Sequence, residues 1–199
     1  NAMRLVETSN GYPEDSGEYF DSIQRALSKG WRLGFTASDD HHDHGWGNAK
    51  PDTTGLWANE LSKAEIMGAL RARRTYAMND TDAVARFTAN GHWMGAEFTN
   101  TSAVLTLEVV VEDGKETAQS VEWYSGVPES AAEPAVLKRE TAPADGGLTL
   151  PRQWSFIVTP TPGTTSFYFP RILETDGNFI MCSPIWATQP AGDVTRTPR

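Results

Sequence analysis

Residues 38–44 read Ser38-Asp39-Asp40-His41-His42-Asp43-His44 and hold three of the four histidines of the chain beside three aspartates. Imidazole and carboxylate together are donors for divalent Zn, Mn or Fe. Side chains two apart on an extended chain point the same way, so Asp39 and His41 can converge on one ion while Asp40 points elsewhere. A further acid, Glu7, closes the β-competent stretch Arg4-Leu5-Val6-Glu7-Thr8. A solvated surface turn would have the same composition, so spacing alone leaves both readings open. Asp40, His42 and His44 are candidates for hydrogen-bonding a ligand or a substrate, or are ordinary surface residues.

The elements that must position these groups follow from periodicity. Asn10-Gly11-Tyr12-Pro13 is turn chemistry that ends the first strand. From Ser16, apolar Tyr19, Phe20, Ile23, Ala26 and Leu27 recur at helical spacing, and Gly30 lies just past the last turn. Trp31 to Ala37 is largely apolar, as a strand buried on both faces should be, and runs into the Asp/His segment. Ser62-Lys63-Ala64-Glu65 has capping-box spacing and predicts a second helix over about 63–73. Strand, helix, strand and helix in this order predict parallel strands, with the Asp/His segment and Glu7 at their C-terminal ends, the ligand side of α/β sheets. His92 follows the Asn90-Gly91 turn and reads as structural or exposed.

Beyond Asp82 the texture changes to alternating strands separated by Asn90-Gly91, Asp113-Gly114 and Asp176-Gly177. Strands are predicted at 84–89, 103–112, 120–124, 135–140, 153–159, 165–174 and 178–186. The fold class is therefore α/β plus all-β: a short α/β domain over 1–80, an antiparallel immunoglobulin-like β-sandwich over 81–188, and a fraying polar tail over 189–199.

Composition narrows the partners. A net charge of −9, from 26 acidic and 17 basic residues, disfavours a general nucleic-acid binder, which needs clustered Lys and Arg. No apolar run approaches the roughly 18 residues that span a bilayer, and Asn1-Ala2-Met3-Arg4 lacks signal-peptide character. Asn1-Ala2 reads as an expression scar. The single Cys182 excludes an internal disulfide and a cysteine-rich zinc site but leaves the compartment open. No nucleophile-elbow motif is present, and Cys182 lies in an apolar strand where burial would make it inert.

Leu5-Val6-Glu7-Thr8-Ser9-Asn10-Gly11 and Gly34-Phe35-Thr36-Ala37-Ser38-Asp39-Asp40-His41 resemble the closing part of the PHP-type metal-dependent phosphoesterases, nearest to their CehA/McbA-like and related bacterial branches. Leu56-Trp57-Ala58, Glu60-Leu61-Ser62, Ala69 to Ala77 and Asn90 to Gly95 follow in the same order, and Ser183-Pro184-Ile185-Trp186 resembles the end of the β domain that often comes next. The resemblance implies a distorted (βα) barrel that binds two or three divalent ions and hydrolyses a phosphate ester or related anionic small molecule. It assigns Glu7, Asp39 and His41 as metal ligands. Arg74 has two readings: it faces the same rim and pairs with an anionic substrate, or it is a cation at a helix C-terminus. The chain departs from the family pattern in having no histidine before His41, so the His-x-His strand and over half of the expected ligands are not in it. Either the chain is a fragment or the catalytic half has been lost, and in both cases the polypeptide alone is expected to be a poor catalyst.

Two barrel strands would present a bare edge and an apolar face. These invite packing on the β domain or on another copy, and association is expected: a homo-oligomer, or contact with a missing N-terminal half. In the rival reading the chain is a non-catalytic binding module, with Trp123, Tyr124, Trp154, Phe167, Tyr168, Phe169 and Trp186 as an aromatic platform on the sandwich; the same aromatics would equally serve as core.

Overall fold

A computed structural model describes residues 3–11, 16–40, 42, 44, 52–144 and 146–191, with the first helix's side chains described from residue 19. The elements in chain order begin β1 (Leu5–Ser9), α1 (Ser16–Ser28), β2 (Gly34–Ala37), β3 (Thr53–Leu56), α2 (Lys63–Arg71) and β4 (Thr75–Met78). They continue β5 (Val84–Ala89), β6 (His92–Trp93), β7 (Glu97–Thr99), β8 (Leu105–Glu112), β9 (Thr117–Gly126) and β10 (Ala135–Thr141). The last are β11 (Leu148–Thr149), β12 (Arg152–Val158), β13 (Thr165–Glu174), β14 (Phe179–Cys182) and β15 (Ile185–Thr188).

The molecule is mainly β. A nine-stranded sheet runs β10-β9-β13-β14-β4-β3, with β11, β15 and β7 attached, and faces a four-stranded sheet of order β12-β8-β5-β6. Strand β8 alternates buried and half-buried positions because only one of its faces meets the core. Phe87, Leu107, Val109, Val111, Trp123, Val121, Ile172 and Ile180 fill the space between the sheets. In contrast, β4 and β14 are buried at every position, because their sheet is covered on both sides.

The second cover is the N-terminal unit. Strands β1 and β2 pair in parallel, with Glu7 opposite Thr36, and α1 connects them. Ile23, Leu27 and Phe35 form a second core with Tyr124, Phe167, Phe169, Met181 and Trp186. Phe35 meets Phe169 edge-on at 5.3 Å, and a fully buried Phe is worth about 1.5–3 kcal/mol. The apolar face expected to lie bare thus rests on the large sheet of the same chain. That sheet also runs across the boundary expected near residue 80, since β3 and β4 belong to it.

Local chemistry explains the element ends. Helix α1 stops in a Schellman motif: Gly30 has φ +89°, its N–H donates to Leu27 O at 3.0 Å, and Trp31 N–H donates to Ala26 O at 3.1 Å. Helix α2 starts at Ser62, whose Oγ accepts from Glu65 N–H at 3.3 Å. The reciprocal half of the capping box is replaced by Asn59, whose Nδ2 donates to Glu65 Oε2 at 2.7 Å. The single strand predicted over 178–186 is broken at Ser183-Pro184 into β14 and β15. The break faces Phe169 and Pro170 of β13, where proline has no N–H to give a neighbouring strand.

Candidate functional site

Two carboxylate-rich places lie at one end of the fold. The first is the rim where β1 and β2 end together. Thr8 Oγ1 donates to Thr36 O at 3.1 Å and Thr36 Oγ1 to Val6 O at 3.1 Å, so the strand pair is tied by side chains as well as by its ladder. The register shifts between Glu7 and Ser9, and Ser38 N–H then donates to Ser9 O at 3.1 Å. Ser38 Oγ donates to Glu7 Oε1, so the exposed Glu7 carboxylate is held beside the residue that precedes Asp39. Ser9 Oγ donates to Asp52 Oδ1, and Asp52 is buried. Asn10 Oδ1 is buried without a hydrogen-bond partner.

Strand β2 is fixed against the large sheet by hydroxyls. Phe35 N–H donates to Ser183 Oγ at 2.8 Å, and Ser183 Oγ is 3.0 Å from Thr75 Oγ1. Ala37 N–H donates to Thr54 Oγ1 at 2.9 Å, and that hydroxyl donates to Ala37 O at 2.7 Å. Thr54 pairs with Ala77 in the sheet. Strand β2 therefore runs alongside β4 in the same direction, Phe35 near Thr75 and Ala37 near Ala77. Gly34 makes the approach possible: a Cβ there would sit 2.8 Å from Arg73 Cβ and 3.0 Å from Ser183 Oγ.

These contacts place the expected site residues. Glu7 lies against Ser38, the residue before Asp39, where the β1–β2 pair ends. Asp39 is half-buried. Asp40 is exposed with φ 46°, and its Oδ1 lies 3.0 Å from Nε2 of His42, whose side chain is 84% exposed. That is a surface pair, and His44 is exposed as well. His41 lies outside the described residues. Arg74 does not face this rim. It precedes β4 at the opposite end, where it lines a cleft of about 210 Å³ with Trp57, Ala58, Asn59 and Trp93. His92 is exposed and stacks on Phe98 at 3.8 Å. The aromatic platform is also overturned: Trp123, Tyr124, Trp154, Phe167, Tyr168, Phe169 and Trp186 are all buried, Trp154 of the small sheet in the core between the sheets and the others along β9, β13 and β15 of the large one.

The second place was not foreseen. Asp80 and Asp82 follow β4, and Asp113 follows β8; one ligand oxygen from each lies within 4.8 Å of the others. Asp80 Oδ1 accepts from Asp82 N–H at 2.8 Å, and Asp113 Oδ1 accepts from Lys115 N–H at 2.7 Å and Glu116 N–H at 3.0 Å. Thr53 Oγ1 donates to Asp80 O at 2.6 Å, which links this cluster to the Asp52 side of the rim. Burial raises the Asp80 carboxyl, whereas the bond to Lys115 lowers that of Asp82. Glu174, at the end of β13, is 0% exposed. Burial and then the charges of Asp113, Asp80 and Asp176 push its carboxyl up to about 8. The sequence signals, Asn79-Asp80-Thr81-Asp82 and Asp113-Gly114, are the composition of ordinary turns, and only the fold brings them together.

No protein-family model and no curated protein matches this chain. Among solved structures, it is similar to a superoxide reductase (neelaredoxin) from Ignicoccus hospitalis, with 10% identity and TM-score 0.35, over 51% of this chain and 80% of that one. An AA10 lytic polysaccharide monooxygenase from Streptomyces lividans shows 15% identity and TM-score 0.32, over 48% of this chain and 61% of the other. An engineered protein shows 15% identity and TM-score 0.34, over 92% of this chain and 48% of its own length. Likenesses at these TM-scores decide neither fold family nor activity.

Proposed function

We propose that this chain is the C-terminal portion of a PHP-like metal-dependent hydrolase and supplies part of its metal site through Glu7, Asp39 and His41. One observation carries the reading: two parallel strands end side by side, and Ser38, the residue before Asp39, donates to the Glu7 carboxylate. On this reading β1, α1 and β2 are closing units of a distorted barrel, and the facing sheets are the immunoglobulin-like sandwich that follows it.

The donor set fits Zn, Mn or Fe, being carboxylates with an imidazole in the adjoining segment. When bound, such ions supply an activated water near neutral pH and neutralise charge on an anionic phosphate ester. The chain's own residues do the positioning. Ser38 orients Glu7, Ser9 anchors Asp52 behind the rim, and the hydroxyls of Ser183 and Thr54 fix the strand that carries Asp39. With an incomplete ligand set, the chain alone hydrolyses a phosphomonoester slowly or not at all. The test is elemental analysis of purified protein beside an Asp39→Ala, His41→Ala variant. Stoichiometric Zn, Mn or Fe that disappears in the variant supports the reading, and equal metal in both, or none in either, refutes it.

A further inference from the structure

We propose that Asp80, Asp82 and Asp113, with the buried Glu174 carboxylate behind Asp113, form a structural Ca²⁺ site that fastens the two sheets of the sandwich together, separate from the rim of Glu7 and Asp39. The acidic cluster alone would not carry this. The second observation is Glu174: it is fully buried, and neither carboxylate oxygen has a hydrogen-bond donor. Asp113 Oδ2 is buried without a donor too, and the Glu174 and Asp113 carboxyls lie close enough to share a hydrogen bond. Two buried carboxylates can face each other only with a proton or a cation between them.

Charge and geometry select the cation. Among the described residues, these carboxylates meet the ammonium of Lys115, whose Nζ is 2.9 Å from Asp82 Oδ2 on the exposed side. Ca²⁺ takes 6–8 oxygens at about 2.3–2.6 Å, so ligands on opposite sides of one ion stand about 4.6–5.2 Å apart. The 4.8 Å limit on the three aspartate oxygens fits one such ion. The cluster contains neither imidazole nor thiolate, which sets it apart from a Zn site. Asp80 and Asp82 follow β4, and Glu174 ends β13, both of the large sheet; Asp113 follows β8 of the small one. An ion here joins the two sheets where β4, β8 and β13 end.

The experiment is thermal unfolding of the whole chain at pH 7.5 in EDTA and then in rising Ca²⁺ from micromolar to millimolar. Glu174→Gln and Asp82→Asn are run in parallel, and circular dichroism shows that each folds. The amide of Glu174→Gln can donate to Asp113 and so removes the need for a cation, while Asp82→Asn changes an exposed ligand with little risk to packing. We expect the wild-type Tm to rise by about 5–10 °C at a hundred-fold excess over Kd. Both variants should lose most of that rise. A wild-type Tm indifferent to Ca²⁺ overturns the site and leaves a proton shared by Glu174 and Asp113. A Ca²⁺ response that survives in both variants overturns it as well, because the ion then binds elsewhere.

Discussion

Ser183→Ala removes one hydroxyl and nothing else, yet that hydroxyl joins three elements. Ser183 is 0% exposed. Its Oγ accepts the Phe35 N–H of β2 at 2.8 Å and lies 3.0 Å from Thr75 Oγ1 of β4, while its own N–H donates to Thr75 O at 3.1 Å. The substitution leaves the Phe35 N–H buried without an acceptor, which costs about 1–3 kcal/mol. Loss of the bond to Thr75 adds about 0.5–1.5 kcal/mol, less whatever Thr75 regains by turning to another partner. We therefore expect a total of about 2–3 kcal/mol. With a urea slope of about 2 kcal/mol/M, the midpoint falls by about 1–1.5 M without a change in slope. Amide exchange at Phe35 should quicken selectively, because the strand that carries Ser38 and Asp39 loosens from the sheet. Thr75→Val alone and combined with Ser183→Ala should give a coupling of about 0.5–1.5 kcal/mol in a double-mutant cycle. A midpoint shift under about 0.3 M, or Phe35 exchange equal to wild type, would refute the claim that this hydroxyl docks β2.

Two other outcomes follow from the same packing. Gly34→Ala forces a methyl against Arg73 Cβ at 2.8 Å and Leu5 Cδ2 at 3.0 Å, so chemical denaturation should register a loss of about 1–3 kcal/mol. Burial, and then the Glu122 carboxylate to which it donates at 2.7 Å, push the Tyr124 phenol up to about 12. Between pH 10 and 12 the folded state keeps a proton that the unfolded chain has lost, so this stabilisation is complete below pH 10 and falls away as pH rises through that window. Phenolate absorbance should show a late-titrating tyrosine that Tyr124→Phe removes; an unchanged titration curve in the variant would count against it.

Much of the scaffold was legible because its signals are local. The apolar spacing from Tyr19 to Leu27 with Gly30 after it, and Ser62 three residues before Glu65, mark both helices without tertiary information. The strand over 165–174 was readable from its β-branched and aromatic residues. Strand β3 was not, since Thr53-Thr54-Gly55-Leu56 is short and glycine-containing and becomes a strand only by pairing with Thr75–Met78. The split of β14 from β15 falls at Pro184, a proline inside the predicted strand that the sequence itself displays.

The candidate sites divide in the same way. The parallel pairing of β1 with β2, from which a shared rim for Glu7 and Asp39 was expected, is present. Arg74 could not be placed, because its end of β4 is set by the docking of β2 on Ser183 and Thr54. The aromatics were ambiguous in sequence since a strand covered on both faces and an exposed platform have the same composition. The Asp80, Asp82, Asp113 and Glu174 cluster stayed hidden because three separate chain segments build it.

The most direct test of the shared rim is calorimetric titration of the metal-stripped chain with Zn²⁺, for wild type, Glu7→Gln and Glu174→Gln. If Glu7 of one strand and Asp39 of the next grip a common ion, Glu7→Gln weakens Zn²⁺ binding by at least about ten-fold, and Glu174→Gln leaves it as in wild type. Zn²⁺ affinity unaltered by Glu7→Gln would contradict the account, since the two strands would then end together without sharing a cation.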